Sequence, residues 1–185
     1  MLKWFRKGLS PYQTPLAMVG VKSGDEVVVV GATDADLAAQ LARVTGLNGQ
    51  TMVVDRLEAR GPVDAAATRA GALVEFSDGS PTSLPLAAGS NDVVVITVGL
   101  GALTADERAR TMNEAMRVLR PGGRTIVIEG IKSPREAAGT ERPAIDDGEV
   151  LALLTAAGGR AVRTLATAGG RTYYESRKAR SPEPA

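Results

Sequence analysis

Apolar positions follow two alternating rhythms along the chain. Short, nearly unbroken runs rich in Val and Ile alternate with stretches in which apolar residues recur at helical spacing. The run Glu26-Val27-Val28-Val29-Val30 is apolar on both faces, which predicts a central parallel strand covered from both sides. Gly31 breaks it, and Thr33 or Asp34 can cap a helix through about Val44, with Leu37, Ala38, Leu41 and Val44 on one stripe and Gly46 as its stop. Thr51 to Asp55 reads as a second strand with an acidic end. Between Arg56 and Ala70 a helix is expected from Pro62, because Pro suits a first helical turn, and Gly71 ends it. Ala72 to Phe76 reads as a third strand, Ser77 to Asn91 as a polar loop, and Asp92 to Val98 as a fourth strand, again apolar.

Thr104 and Glu107 form a capping box for a helix reaching Arg120. Pro121-Gly122-Gly123 then turns the chain into a fifth strand, Arg124 to Glu129, and residues 130–145 read as a loop. A last helix, Asp146 to Ala157, is followed by strands at Arg160–Leu165 and Arg171–Ser176, with Gly169-Gly170 as a hairpin signal. Tyr173 and Tyr174 alternate faces, which predicts one in the core and one exposed. The tail from Arg177 reads as disordered. Strands alternating with helices imply an α/β doubly wound sheet with right-handed crossovers. In such sheets a ligand lies outside the carboxyl ends of the strands. The segments that matter are therefore those after Val30, Asp55, Phe76, Val98 and Glu129.

Composition narrows the chemistry. The chain has 185 residues, 3% aromatics, and no Cys and no His. Disulfides, thiolate nucleophiles, Ser-His-Asp triads and zinc sites of the usual Cys/His kind are excluded, and acid–base work falls to carboxylates, Tyr or Lys. The formal charge of +1 leaves no global field to steer nucleic acid, so no nucleic-acid partner is expected. No apolar run has the length of a membrane-spanning helix, and a cytoplasmic location is expected. The basic–aromatic start, Met1-Leu2-Lys3-Trp4-Phe5-Arg6-Lys7-Gly8-Leu9, leaves open a weak peripheral membrane contact through residues 1–9.

Gly31-Ala32-Thr33 follows the first strand and opens a helix, where a small residue permits close backbone approach and free N–H groups are available. Asp55 ends the next strand, near the roughly 20-residue spacing at which a carboxylate accepts both hydroxyls of a ribose. The bland alternatives are a strand-breaking glycine and a solvated strand end. Asp34 and Asp36 read as helix-terminus charges favoured by the dipole. Glu129 can reach a site from the end of the fifth strand, and reads otherwise as an exposed carboxylate.

The segment Glu114-Ala115-Met116-Arg117-Val118-Leu119-Arg120-Pro121-Gly122-Gly123-Arg124-Thr125-Ile126-Val127-Ile128-Glu129 resembles the helix, turn and fifth strand of class I S-adenosylmethionine-dependent methyltransferases, most of all the ubiquinone/menaquinone C-methyltransferase branch. Ser83-Leu84-Pro85-Leu86 before Asn91-Asp92-Val93-Val94-Val95, and Gly20-Val21-Lys22-Ser23-Gly24-Asp25, are similar to that family's entries to strands four and one. The resemblance implies a Rossmann-like seven-stranded sheet, mostly parallel with an antiparallel last strand, over residues 16–177, between a leader (1–15) and a disordered tail (178–185). It implies an S-adenosylmethionine site at Gly31, Ala32, Thr33, Asp55, Arg56, Ser80 and Thr97, with Asp78 two residues from the adenine position held by Ser80. It assigns no catalytic residue.

The first motif departs from the family pattern. Val29 stands at an acidic position, and Thr33 and Ala35 replace two of three glycines, which narrows the space for the cosubstrate's methionine part. The segment Thr97-Val98-Gly99-Leu100-Gly101 lacks the polar and aromatic residues of relatives. Two readings follow: a methyltransferase acting on a small molecule, with a weakened S-adenosylmethionine site, or a catalytically impaired methyltransferase-like binding or assembly module. A nicotinamide dinucleotide domain fits less well, because G-x-G-x-x-G is absent.

Overall fold

The computed structural model describes residues 11–130 and 145–180. The stretch 1–9, most of the loop at 130–145 and the tail beyond residue 180 lie outside the described residues. The elements run α1 (Gln13–Val19), β1 (Glu26–Val30), α2 (Ala35–Thr45), β2 (Gln50–Asp55), α3 (Arg60–Ala70), β3 (Glu75–Asp78), β4 (Asn91–Ile96), α4 (Ala105–Val118), β5 (Leu119–Glu129), α5 (Asp147–Ala156), β6 (Arg160–Ala168) and β7 (Arg171–Arg177). Among the described residues the strands form one seven-stranded sheet in the order β3-β2-β1-β4-β5-β7-β6. Every pairing from β3 to β5 is parallel, and β7 runs antiparallel to both its neighbours. The chain order reverses between β1 and β4, the position at which doubly wound sheets bind ligands.

Alternation along each strand divides the core into two layers. Val27, Val29 and Ile126 pack with Leu37, Leu41 and Val63 on the side of α1, α2 and α3. Val28, Val94 and Val127 pack with Met112, Val150 and Leu154 on the side of α4 and α5. The sheet is thus covered on both faces, which is why β1 and β4 need apolar residues at successive positions. The acids that do enter this region are paired. Asp92 accepts the Glu26 amide at 2.8 Å and forms an ion pair with Arg120. Glu175, 1% exposed, is shared by Arg124, Arg163 and Arg177.

Several expectations shift. Helix α1 is present where no helix was expected. The third strand is Glu75–Asp78 rather than Ala72 to Phe76, because the ladder with β2 begins at Met52↔Glu75 and leaves Leu73 76% exposed. Helix α3 starts at Arg60, two positions before Pro62, which therefore sits third in the helix. Strand β4 stops at Ile96, and Thr97 and Val98 already turn across the strand ends. Both Tyr173 and Tyr174 are 1% exposed, one in each core layer, because β7 is covered on both sides. Strand β7 extends through Arg177, and Lys178 exchanges backbone hydrogen bonds with Gly122 and Gly123, so the ordered chain continues past the expected start of the tail.

Pro121-Gly122-Gly123 lies within β5, at a register irregularity between the Asn91↔Leu119 and Val93↔Arg124 pairs. The two glycines are needed for different reasons. Gly122 adopts φ +80°. A Cβ on Gly123 would lie 2.9 Å from the Asp92 carbonyl oxygen and 3.0 Å from that of Arg120. Gly122→Ala should therefore cost about 1–2 kcal/mol through the backbone alone. Gly123→Ala should cost more, since backbone must move. Urea unfolding of both variants checks this order, and equal midpoints to the parent chain would refute it.

Candidate functional site

The ends of β1, β2 and β4 lie side by side, with Val30 in register with Val54 on one flank and Ile96 on the other. The chain leaves β1 at Gly31 with φ +92°, and the Gly31 amide donates to the Val54 carbonyl at 2.9 Å. A Cβ here would lie 2.8 Å from both the N and Cα of Val98, so glycine is required by close backbone approach as well as by φ. Thr97 secures the other side. Its amide donates to Val30 at 2.9 Å and its hydroxyl to the Gly31 carbonyl at 2.6 Å. The Thr97 side chain is buried and committed to that loop.

Asp55 closes this corner. Its Oδ2 accepts the Ala32 amide at 2.7 Å, and its Oδ1 accepts the Arg56 amide at 2.7 Å. The exposed Arg56 thus contributes through its backbone. Each carboxylate oxygen retains capacity for a further donor. The Gly79 amide donates to the Asp55 carbonyl at 3.0 Å, which brings the loop after β3 to the same corner, and the register sets Asp78 beside Asp55. Ser80 is exposed, with its hydroxyl 2.8 Å from that of Thr82.

Asp34 is the N-cap of α2 and accepts the Leu37 amide at 2.9 Å. Tyr12 donates to the same carboxylate at 3.1 Å and Arg171 at 2.8 Å. Asp36 pairs instead with Arg69. These two acids serve the helix end, as expected from sequence. Thr33 lies between the held residues Ala32 and Asp34 and is half-buried.

The segment after β4 is braced from elsewhere. Glu129 accepts the Leu100 amide at 2.9 Å, and Arg108 donates to the Leu100 carbonyl at 2.9 Å while pairing with Glu149. Glu129 is thus half-buried and engaged, not simply exposed. No local pattern announces Arg171 or Tyr12 as members of this region, since they reach Asp34 across 137 and 22 positions.

Residues 13–138, more than half of the chain, match the ubiE/COQ5 methyltransferase family. The chain belongs to the ubiE/COQ5 methyltransferase family. It is 36% identical over 118 residues to the ubiquinone/menaquinone biosynthesis C-methyltransferase UbiE of Pseudomonas entomophila, a match covering 62% of this chain and 45% of that protein. It is 30% identical over 113 residues to UbiE of Klebsiella pneumoniae, covering 60% of this chain and 44% of that one. The matched part thus spans less than half the length of these curated relatives. The crystal structure of a SAM-dependent methyltransferase from Aquifex aeolicus superposes with a TM-score of 0.72 at 21% identity, covering 90% of this chain and 89% of the other. The fold is that of the class I methyltransferases.

Val29, at the position where the resemblance leads one to expect an acid, is 1% exposed and packed in the layer beneath α2, so it offers no polar partner there. Ala35, at a second departure of this kind, is the first residue of α2 and packs against the same layer.

All three tyrosines are held above their ordinary range. The Tyr12 hydroxyl is pushed up to about 12 by burial and by the neighbouring Asp34 carboxylate. Burial raises Tyr173, and burial together with the Asp147 carboxylate raises Tyr174. A group with a raised folded-state pKa stabilises fully below its unfolded pKa and ceases to do so as pH rises through the folded value. Stability should therefore fall as pH climbs from 10 toward 12, with a shallower fall in Tyr12→Phe. Alkaline titration of tyrosinate absorbance checks the cause. The native chain should show little ionisation at pH 10, where free tyrosine is half ionised; ordinary titration in the native protein would refute the burial of these hydroxyls.

Proposed function

We propose that the chain is an S-adenosylmethionine-dependent methyltransferase acting on a small molecule. The observation that carries this reading is the Asp55 carboxylate, aimed by the Ala32 and Arg56 amides at 2.7 Å each and set beside the Gly31 loop. Family membership supports the same reading. The residues present fit the nucleoside end of the cosubstrate. Asp55 accepts the two ribose hydroxyls with the lone pairs its amide contacts leave open, Gly31 and Ala32 let the backbone approach, Arg56 fixes the carboxylate through its amide, and Ser80 with Asp78 flanks the adenine. Thr97 holds the Gly31 loop in place from below. Thr33 borders the amino-acid end, where this chain offers fewer polar groups than the family pattern.

The bound sulfonium supplies an electrophilic methyl group. In-line displacement asks the protein chiefly to hold the acceptor in line and to exclude water, so the absence of His and Cys is compatible with the reaction. The relatives' names make carbon acceptors the first to assay. The proposal includes a cytoplasmic site of action and no nucleic-acid partner, the latter supported by the charge of +1. Among the described residues no helix is long and apolar enough to cross a membrane.

Val29, Thr33 and Ala35 favour a second reading, a family member that binds without turnover. Calorimetric titration with S-adenosylmethionine and S-adenosylhomocysteine decides. Micromolar binding that is lost in Asp55→Ala supports the cosubstrate site, and absence of heat at millimolar ligand would overturn it. Thr33→Gly should tighten binding if its side chain narrows the amino-acid end. Unchanged affinity would show that it does not.

A further inference from the structure

The loop between β1 and α2 keeps Gly31 but carries Thr33, and α2 begins with Ala35, yet the loop is held at both ends by groups from distant elements. At its start, Thr97 and Asp55 fix Gly31 and Ala32. At its end, the Asp34 side chain is only 9% exposed and receives Tyr12 from the segment leading into α1 and Arg171 from the hairpin between β6 and β7. That hairpin reaches the same end of the sheet because β7 pairs antiparallel with β5, with Glu129↔Thr172 as the last pair. A Cβ on Gly130 would collide with the Gly170 carbonyl, which shows how closely the hairpin turn is seated against the end of β5. The Arg171 guanidinium is 23% exposed. The same guanidinium lies beside the Tyr173 hydroxyl, so it joins β7 to the N-terminus of α2.

We propose that Arg171 is a positioning residue for the cosubstrate site, acting through Asp34 to set the N-terminus of α2 and thereby the Ala32 amide that aims Asp55. The inference rests on the nucleoside reading of that corner. Loss of the Arg171 contact frees the end of α2 to shift, the Ala32 amide moves with the loop, and Asp55 no longer presents both oxygens to a ribose. Arg163 provides the comparison. It lies on the same hairpin and bridges Glu175 at 2.6 Å without touching Asp34.

The test compares Arg171→Met, Arg171→Lys and Arg163→Met with the parent chain, at a temperature well below every unfolding midpoint. In the unliganded proteins, hydrogen exchange at the Ala32 and Leu37 amides should rise at least fivefold in Arg171→Met, return part of the way in Arg171→Lys and stay unchanged in Arg163→Met, on the order of the shift expected when one ion pair stops holding a helix cap. Calorimetry with S-adenosylhomocysteine should show affinity falling about tenfold in Arg171→Met alone, the effect of roughly 1.4 kcal/mol. Parent-like exchange and affinity in Arg171→Met would overturn the proposal, as would equal effects from Arg163→Met, which would mark a general loss of hairpin stability. Exchange that changes as expected in a parent chain that binds no S-adenosylhomocysteine overturns the cosubstrate reading while leaving the Arg171–Asp34–Ala32 linkage standing.

Discussion

One carboxylate oxygen accepting one backbone amide, Asp55 Oδ2 from Ala32 at 2.7 Å, joins the end of β2 to the loop after β1. That contact requires the two strands to end level, which the Val30↔Val54 register provides. It also requires the loop to leave β1 tightly, which Gly31 permits by approaching the Val98 backbone. The loop's other end is tied through Asp34 to Tyr12 and Arg171. Sheet register, one glycine and two side-chain anchors thus converge on the direction in which a single acid points. A polar group so constrained needs little reorganisation when a ligand arrives, which is the physical content of preorganisation.

The scarcity of aromatic residues acquires a structural meaning against this frame. The two core layers are filled by Val, Leu, Ile, Ala and Met, with bulk supplied by Tyr173 and Tyr174 on opposite faces of β7. Each of these rings is buried to 1% exposure, and Tyr174 finds a partner for its hydroxyl in Asp147. Of the other described aromatics, Tyr12 reaches Asp34 with its hydroxyl and Phe76 lies on β3 beside Val53 of β2. The β1–β2 corner is built from backbone amides and carboxylates, which explains how a chain without His or Cys can still present a polar, directional site.

Much of this arrangement was legible in the sequence, and the reasons are local. The Val runs of β1 and β4 can only be buried strands, Gly46 and Gly71 stop their helices, and Thr104 with Glu107 forms the capping box expected of that pattern. Asp55 declared itself by standing at a strand end. What escaped was set by tertiary contact. Helix α1 is short and its N-cap, Tyr12, has no short side-chain oxygen to cap it, so no local start signal marks it, and its hydroxyl goes to Asp34. The apolar run Ala72-Leu73-Val74 suggested a strand, but only the residues from Glu75 onward find a partner on β2. Arg171 and Asp34 are separated by 137 positions, and nothing in the residues around either one signals the other. The bare appearance of the segment after β4 was likewise local, since its bracing comes from Glu129 and Arg108.

On the proposed reading, the corner between β1 and β2 is already shaped for a nucleoside before any ligand arrives. A crystal structure of the chain with S-adenosylhomocysteine bound tests it most directly. The ribose hydroxyls should lie on the two oxygens of Asp55 while the Ala32 amide keeps its contact with that carboxylate. A nucleoside bound elsewhere on the sheet, or an Asp55 released from Ala32 to reach it, would contradict the claim.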